Sequence, residues 1–480
     1  MKVYPRIELD ITFKDLRANL LSYFSWSERE EIISQIQSFW HTQKQTLVTL
    51  CVRTSLDLLL QALNLPPGSE IIMSAVNIAH MEEIIKKHHC IPIPVDIDLE
   101  TLAPSVDLFK SSISNRSRVF ILAHLFGSII PLDPYVEICK SHNILLVEDC
   151  AQAFDGLRYL GHPEADISFF SFGPIKSCTA LGGSVTLVQD KQLAQKMYNI
   201  EQIYPIKNEV WFFKRLLKYL CFKFLAIPKI FGIFVTCLDC LKIDLDHFIS
   251  SLTRGFSKGD IQSQLRYRPP KGMLRLLQYR FKHLDSSHYD QRQQTAHQFL
   301  ALLDKPDSYP GRKTMQHSYW LVPFVTANPK LLMQKLRIEG FDTTTGTTSL
   351  TALGEDSAQA KTLISTVLYL PIYPSVPTPE MTRLAQFVRL YSNGSEIRVC
   401  ESLVGVSRRW GRGSGNAQTS FDETTSLRRL PQPLDTPVCE SAKALKISRA
   451  DITHPRAISL LPEKLDKPCN AVEFFGETSI

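Results

Sequence analysis

The stretch Ser168–Val185, SFFSFGPIKSCTALGGSV, places a single lysine, Lys176, between two runs of apolar and small residues. The runs ISFFSF and GGSVTLV are typical of buried strands, so Lys176 is expected in the short connection between them. Loops at the strand ends of an α/β sheet commonly carry functional residues. Partial burial lowers the pKa of a lysine and makes its amine a usable nucleophile. The alternative is an ordinary surface lysine, and the apolar neighbours favour a functional one.

The residues before this stretch alternate between strand and helix patterns from about residue 46. Apolar runs such as EIIMSAV, SRVFILAHLF and ILLVEDC are typical of strands, and segments with helical spacing lie between them. This alternation predicts an α/β fold with a mostly parallel sheet covered by helices on both faces. Ligands of such sheets bind at the carboxyl ends of the strands. The chemically active side chains that follow the apolar runs are Arg53, Thr54, His124, Asp149, Gln152, Ser171 and Lys176.

The bulk composition predicts an ordinary cytoplasmic protein of 480 residues, 44% hydrophobic and 21% charged. A net charge of +6 gives no argument for a nucleic-acid partner. The first residues lack the apolar core of a signal peptide, so the 11 cysteines are expected as reduced thiols. The pair Cys237 and Cys240 lacks a second pair to complete a zinc site, and no metal is expected. No run of 18 uncharged apolar residues predicts a membrane span.

The chain is expected to divide into five parts. These are an N-terminal segment (1–45), a large α/β domain (46–200), a helical insertion (201–260), a returning helix with a small C-terminal α/β domain (261–391), and a tail (392–480). The tail is rich in Ser, Arg, Pro, Thr and Glu, and its short apolar runs have no period. This composition predicts disorder.

The insertion is the part of the sequence that departs from the alternation. It mixes large apolar residues with the cations Lys214, Arg215, Lys218, Lys223 and Lys229. A basic amphipathic stretch of this kind can lie on a membrane surface, here through residues 205–250, which would place the protein peripherally at the inner membrane surface. A helical insertion packed on the body of the protein or on a twin subunit explains the same pattern.

Asp149 and Lys176 form a pair of residues suited to pyridoxal 5'-phosphate. Asp149 ends the apolar run LLVED, and Lys176 follows one crossover later. This cofactor is held as an imine by a lysine, and its ring nitrogen must stay protonated, which a nearby carboxylate favours. Its phosphate requires a helix N-terminus and hydroxyl donors, which the helix that opens near Thr54 and the hydroxyl of Ser171 could supply.

The segments EDCAQAF and SFFSFGPIKSCTALGG resemble the signature of the DegT/DnrJ/EryC1/StrS aminotransferases, which aminate keto-sugars on nucleotide carriers. Further similar blocks between Leu47 and Val388 are PPGSEIIMSAV, PVDIDLETLAPSV, AHLFGSIIPLD and LYLPIYPSVPTPEM. The resemblance implies an aspartate-aminotransferase-like fold (pyridoxal-phosphate fold type I): a large α/β domain with a mixed, mainly parallel sheet, and a small C-terminal α/β domain. It also implies a homodimer with sites at the interface.

The resemblance also implies a role for each matching residue. Lys176 matches the imine lysine, Asp149 the residue that faces the pyridinium nitrogen, and Gln152 the residue beside the ring hydroxyl. Ser171 matches a phosphate ligand. Where the family has Gly-Thr before its first helix, this chain reads CVRTSLDLL, so Arg53 replaces the threonine and Thr54 follows. Arginine can bind phosphate through two parallel hydrogen bonds.

Two blocks depart from the family pattern. Where the family places an aromatic ring over the cofactor, this chain has Ile78, with His80 two residues later, and the sequence does not decide between them. Where the family reaches the partner subunit's phosphate through an asparagine, the nearest match is RYRPPKGMLRLL, with Arg266 in place of the asparagine. These departures predict a dimeric site with altered chemistry.

The sequence therefore predicts a transaminase. Its substrates are expected to be an amino acid donor such as glutamate and a small keto-sugar, nucleotide-linked, or a related keto intermediate. Two alternatives remain. One is a dehydratase on the same scaffold, in which the resemblance implies a histidine in place of the imine lysine. The other is a non-catalytic, pyridoxal-phosphate-binding regulatory protein.

Overall fold

A seven-stranded sheet forms the centre of the computed structural model, which describes residues 2–23, 26–253, 259–346 and 349–392. The described strands are β1 (Gln45–Thr49), β2 (Glu70–Ser74), β3 (Val76–Ile78), β4 (Ile91–Val95), β5 (Ser117–Ala123), β6 (Ser128–Ile129), β7 (Leu145–Asp149), β8 (Ile167–Ser171), β9 (Ser184–Val188), β10 (Gln316–His317), β11 (Val322–Val325), β12 (Leu350–Ala352) and β13 (Val367–Leu370). The predicted tail lies outside the described residues except for Ser392.

The helices cover the sheet and build the other layers. They are α1 (Phe13–Ser22), α2 (Arg29–Ser38), α3 (Val52–Leu63), α4 (Ala79–Lys87), α5 (Val106–Ser111), α6 (Asp133–Ser141), α7 (Lys191–Ile203), α8 (Glu209–Leu225), α9 (Pro228–Cys240), α10 (Leu245–Thr253), α11 (Ile261–Leu265), α12 (Lys271–Lys282), α13 (Ser286–Leu303), α14 (Pro329–Ile338), α15 (Ala358–Thr366) and α16 (Thr378–Ser392), with a short 3-10 helix at Pro306–Ser308.

The sheet has the strand order β1-β9-β8-β7-β5-β2-β4. The pairs β2–β4, β2–β5, β5–β7 and β7–β8 are parallel, whereas β8–β9 and β9–β1 are antiparallel. The structure therefore confirms the predicted α/β class and the mixed, mainly parallel sheet. The antiparallel pair β8–β9 follows from the short connection between them, because a parallel pair requires a long crossover.

Both faces of the sheet are buried, and consecutive residues of a strand serve opposite cores. Phe169 packs with the core that includes α3, α4 and α7, whereas Phe170 packs with the core that includes α2 and α12. This explains why β8 contains no charged residue and only small polar ones: a strand covered on both faces shows no regular alternation between apolar and polar positions.

The C-terminal lobe is a smaller layer, in which β11 pairs with β13 and α13, α14 and α16 pack on this pair. The apolar segment HSYWLVPFVTA, which begins at His317, has a sequence typical of one strand. In the structure it contains parts of two strands in different sheets, because β10 pairs with β6 and β11 pairs with β13. Tyr319 lies between them with a φ of 48°. A left-handed residue interrupts the extended backbone and turns the chain.

The insertion contains α8, α9 and α10, and its two ends meet. Ile206 and Arg268 form a parallel bridge, so the chain leaves and re-enters the body at one place. Among the described helices none alone is long and apolar enough to cross a membrane, but α8 and α9, bent by 96° at their break, pass by length and composition as a pair. The described residues all belong to one compact unit.

Candidate active site

The sequence-predicted residues converge at the edge of the sheet where β1, β7 and β8 end. Ser184, the first residue of β9, is paired with Thr49 at the end of β1 and with Ser171 at the end of β8. Asp149 ends β7 and is paired with Phe169 of β8. This strand edge is therefore the carboxyl edge that the alternation pattern predicts as the place of a ligand site.

Lys176 lies in the connection between β8 and β9, within the turn that its N–H closes on the Gly173 carbonyl (3.0 Å). The pKa of Lys176 is lowered to about 7: burial is the main cause, Asp149 opposes it, and the nearby Arg53 guanidinium adds to the lowering. The ammonium lies 4.0 Å from the centre of the Trp320 ring. A lysine with a pKa near 7 is largely available as a free amine at neutral pH.

Asp149 is the buried carboxylate of the site. Burial raises its pKa, and four influences oppose this rise: the hydrogen bond from the Ala151 N–H (2.9 Å) and the interactions with Lys176, His124 and Arg53. A buried carboxylate stabilises a proton or a cation placed beside it, because little water is present to screen the interaction.

Arg53 lies in the first turn of α3, directly after β1. Burial lowers the pKa of its guanidinium, and interactions with the Cys51 and Asp149 side chains oppose the effect. His80, in the first turn of α4, is also close, because the Arg53 charge lowers the His80 pKa in addition to the effect of burial. The start of α3 therefore presents a guanidinium together with the positive end of a helix dipole.

The structure brings Lys176, Asp149, Arg53 and Ser171 to this one edge. A Cβ atom at Gly173 would lie 3.7 Å from the Ser171 Oγ and 3.8 Å from the Lys176 Cγ, so both side chains border this glycine. The roles that the family resemblance implies for these residues stay predictions.

Two further predicted residues have other hydrogen bonds in the structure. The Thr54 hydroxyl is buried and donates to the Leu265 carbonyl (2.9 Å), which ties α3 to α11. The same hydroxyl also lies 3.4 Å from the Sγ of Cys51, the residue that precedes α3. Gln152 follows Asp149 at the edge, and its side-chain oxygen accepts a hydrogen bond from the Phe126 N–H (2.9 Å).

Arg266 binds within its own chain. Its Nε and one terminal nitrogen donate to the two oxygens of the buried Asp57, at 3.0 and 3.2 Å. Asp57 also contacts the His88 Nε2 (2.8 Å) and accepts from the Tyr204 hydroxyl (3.2 Å). Tyr204 lies before the insertion helices α8–α10 and Arg266 lies after them. The hydrogen bonds to Asp57 therefore connect both ends of this helical segment to α3.

A second buried cluster lies on the opposite face of β7, around Glu148. The His124 Nδ1 accepts from the Ile130 N–H (3.1 Å), so its Nε2 carries the proton and donates to Glu148 (2.8 Å). Glu148 also accepts from the Tyr159 and Ser168 hydroxyls and from the His162 N–H. These bonds, above all those from His124, lower the Glu148 pKa to about 2 despite burial.

The Glu148 cluster is also the one group of His, Cys and carboxylate side chains, in the part of the chain that the structure describes, whose geometry could hold a metal: His124, Glu148 and Cys150. Both His124 ring nitrogens take part in protein hydrogen bonds. We therefore assign the cluster to holding β7, and with it Asp149, in place.

Two site residues escaped the sequence analysis. Trp320, which is buried, covers the Lys176 ammonium and donates from its ring nitrogen to the Ile175 carbonyl (2.8 Å). Cys51 precedes α3 and lies within the electrostatic reach of Arg53. Trp320 is 144 positions beyond Lys176 and follows no recognisable motif, so no local signal marks it. Cys51 could have been found, since it stands two residues before Arg53 in the quoted block CVRTSLDLL.

Residues 28–207 match the sequence profile of the DegT/DnrJ/EryC1/StrS aminotransferase family. This region is therefore similar to the DegT/DnrJ/EryC1/StrS family. It contains Arg53, Asp149, Gln152, Ser171 and Lys176, and it ends before the insertion helices. The family resemblance that the quoted segments carry is thereby confirmed.

The chain is similar to GDP-perosamine synthase of Escherichia coli O157:H7, with 32% identity over 214 residues, which are 44% of this chain and 56% of that protein. It is also similar to the UDP-4-amino-4-deoxy-L-arabinose–oxoglutarate aminotransferase of Shewanella sediminis (strain HAW-EB3), with 29% identity over 34% of this chain and 42% of that protein. The alignments thus span about half the length of these curated relatives.

Solved structures extend the likeness of the fold beyond the family match. PseC of Helicobacter pylori, described as an aminotransferase involved in pseudoaminic acid biosynthesis, has a TM-score of 0.60 at 15% identity, over 81% of this chain and 98% of that one. At this identity the likeness shows the fold alone. It confirms the expected fold type for both the large sheet and the C-terminal lobe.

Proposed function

We propose that this protein is a pyridoxal-phosphate-dependent aminotransferase that moves an amino group from an amino acid to a nucleotide-linked keto-sugar. The observation that carries the proposal is Lys176, an amine with a pKa of about 7 at the strand edge that also holds Asp149 and Arg53. The family match over residues 28–207 supports the same conclusion.

The residues at the strand edge fit this cofactor by their chemistry. The cofactor requires an amine that binds its aldehyde covalently, a carboxylate beside its ring nitrogen, and a cationic partner for its phosphate. The strand edge provides a lysine amine, a buried carboxylate and a guanidinium at the start of a helix. Lys176, Asp149 and Arg53 would hold it, together with the hydroxyl of Ser171. When bound, the cofactor supplies an electron sink that makes a proton on the substrate carbon removable.

Each side chain has a defined task in this function. Lys176 Nζ, with a pKa close to neutral, can both accept and return a proton, which is the requirement for general acid–base work near pH 7. Asp149, when charged, would favour the protonated form of the cofactor's ring nitrogen beside it. Trp320 covers Lys176 and keeps water from one side of the amine.

The names of the relatives support the substrate class. One relative carries GDP-perosamine in its name, and another carries a UDP-linked amino sugar together with oxoglutarate. We infer from these names a nucleotide-linked keto-sugar as acceptor and glutamate as donor. The dehydratase alternative is not favoured, because the lysine that it lacks is present at position 176.

Borohydride reduction of the holoenzyme followed by peptide mapping tests the proposal. We expect the reduced cofactor on Lys176. Lys44 is the internal comparison, because burial also lowers its pKa, yet its ammonium donates to the His162 and Ala165 carbonyls (both 2.7 Å). Label on another lysine would refute the assignment. A holoprotein that shows no half-reaction with any amino acid would favour the regulatory alternative.

We also propose that the protein is a cytoplasmic homodimer that contacts anionic lipid through α8. The outward face of α8 carries exposed apolar side chains, including Val210 and Phe224 (each 56% exposed), with the exposed cations Lys214 and Lys218 beside them. Apolar and cationic groups on one face are what an anionic bilayer surface binds.

Sedimentation analysis tests the dimer, and vesicle flotation tests the lipid contact. We expect binding to phosphatidylglycerol vesicles at low salt, loss of binding in Lys214→Glu/Lys218→Glu, and no binding to phosphatidylcholine. Lys282→Glu, an exposed charge on α12, is the control. Equal binding by the double variant would exclude this surface.

A further inference from the structure

The inward face of α8 carries a cation that the basic pattern of the insertion hides. Arg215 lies between Phe212 and Tyr219 on the side that packs against the body, whereas Lys214 and Lys218 face outward. Trp211 and Tyr219 flank its guanidinium, with ring centres at 5.3 and 5.7 Å. Burial lowers the Arg215 pKa. Arg215 therefore faces the body of the protein, although its charge still contributes to the lowered pKa of Lys218.

Arg215 lies close to the proposed cofactor site. Its Nε donates to the Leu181 carbonyl (2.5 Å), in the connection that follows Lys176. The same connection is joined to the end of β1, because the Gly183 N–H donates to the Leu50 carbonyl (2.9 Å). Leu50 precedes Cys51, the residue that caps α3. A chain of two backbone contacts thus links Arg215 to the start of α3.

Two guanidinium groups share the space around Cys51. The Cys51 side chain lies within electrostatic reach of Arg53 and also of Arg215. In the described part of the chain no carboxylate forms an ion pair with Arg215, and its hydrogen bond to Leu181 uses Nε alone. Both guanidinium groups therefore lie near the residue that precedes α3, where an anion at the positive end of the helix would be attracted by both.

The position at which the family has its phosphate-binding asparagine does not provide a phosphate ligand from within this chain. Arg266, which stands there, donates to both oxygens of Asp57 within its own chain. The insertion, which precedes Arg266 in the chain, places Arg215 near the N-terminus of α3. The geometry thus offers a cation from the same chain.

We propose that Arg215 binds the cofactor phosphate, a phosphate monoester dianion, together with Arg53 and the N-terminus of α3. The insertion is then part of the cofactor site and not only a surface element. This inference rests on the proposed function, since it assumes that the strand edge binds pyridoxal phosphate.

Binding of pyridoxal phosphate and of pyridoxal, which lacks the phosphate, by the apoprotein tests the proposal. We expect Arg215→Met to raise the Kd for pyridoxal phosphate tenfold or more, because charge-assisted hydrogen bonds are lost, and to leave the Kd for pyridoxal unchanged. Arg215→Lys should recover part of the loss. Arg17→Met, the same change at an exposed position of α1, should bind both compounds like the wild type.

Thermal unfolding in inorganic phosphate gives a second measurement that does not depend on the Lys176 reaction. Phosphate should raise the Tm of the wild-type apoprotein and of Arg17→Met more than that of Arg215→Met. If Arg215→Met does not fold, Arg215→Lys provides the comparison, with an intermediate Kd and Tm shift expected.

The outcomes separate the two proposals. A wild-type protein that binds neither pyridoxal phosphate nor pyridoxal would contradict the proposed function. A wild type that binds both, with the same ratio of the two Kd values in Arg215→Met and Arg215→Lys, would leave the function intact and overturn the role of Arg215.

Discussion

The carboxyl edge of the sheet and the insertion each hold a partly buried cation, but the two cations have different surroundings. Lys176 has Asp149 close by, and this carboxylate opposes the loss of charge that burial causes. Arg215 has aromatic rings and a carbonyl around it, and no carboxylate forms an ion pair with it among the described residues. The difference shows that the sheet edge provides its own counter-charge, whereas the insertion offers a positive charge that an anionic ligand would complement.

The largest expected effect is on Lys176. Lys176→Ala should lower turnover by roughly 10³-fold or more, because a positioned acid–base group contributes about 10²–10⁴-fold in rate. It should still bind the cofactor through Asp149, Arg53 and Ser171. Turnover with the amino donor and absorbance of the bound cofactor measure the two properties.

Lys207→Ala is the matched control for Lys176→Ala. Lys207 is a partly buried lysine whose pKa burial lowers, and it lies 3.9 Å from the centre of the Tyr267 ring, away from the strand edge. Its turnover should equal that of the wild type. Full turnover in Lys176→Ala would contradict the catalytic role of Lys176, and with it the contrast between Lys176 and Arg215.

Asp149→Asn should have the next largest effect. The amide keeps the shape of the side chain but loses the charge, and a close opposite charge shifts a pKa by about 1–3 units. Turnover should therefore fall on the order of 10²-fold, while cofactor attachment to Lys176 is retained. The pKa of Lys176 should also fall below about 7, because Asp149 is the group that raises it. An unchanged pH profile for cofactor attachment would contradict this coupling.

Asp57→Asn tests how firmly the insertion is fastened. Removing one partner of a buried ion pair costs about 3–5 kcal/mol in the free energy of unfolding, and Asp57 contacts both Arg266 and Tyr204. We expect a loss near the lower limit, about 3 kcal/mol, because Arg266 is partly exposed. Urea denaturation measures it. Asp107→Asn, an exposed carboxylate at the start of α5, should change stability little. Equal stability of the two variants would show that the ends of the insertion are not held by this cluster.

The smallest expected effect is a pH dependence of apoprotein stability. Lys176 has a pKa of about 7 in the folded chain and an ordinary value of about 10.4 in the unfolded chain. Between these values the unfolded chain binds more protons, so this residue makes stability rise with pH from about 7 to about 10. Lys176→Met lacks this term. Its Tm advantage over the wild-type apoprotein should be largest below pH 7 and shrink as the pH rises. A constant difference across this range would contradict the lowered pKa.

The large domain and the main site residues could be predicted because their signals are local in sequence. Lys176 and Asp149 each follow an apolar run, and parallel strands bring the residues after such runs to one edge. Thr54 shows a first limit: its position after β1 is local in sequence, but the hydrogen-bond partners of a side chain in the first helical turn depend on what packs there. Leu265, 211 residues later, accepts its hydroxyl.

The segment around Tyr319 shows a second limit. Its apolar run predicts one strand, yet contacts with Phe126 and Gly127 turn the chain and bring Trp320 over Lys176. A pattern of apolar residues records burial, and burial is equally compatible with a strand and with a turn wedged between two lobes.

The sequence by itself determined the α/β class, the order of the candidate site residues along the chain and the family resemblance of residues 28–207, because periodicity and short motifs depend on neighbouring residues. Only the tertiary structure decided which cations of the insertion face inward, that Arg266 pairs with Asp57, and that Trp320 covers Lys176. Each of these depends on contacts between residues more than 30 positions apart. Such contacts are selected by packing and by the cost of burying a charge, and neither leaves a period in the sequence.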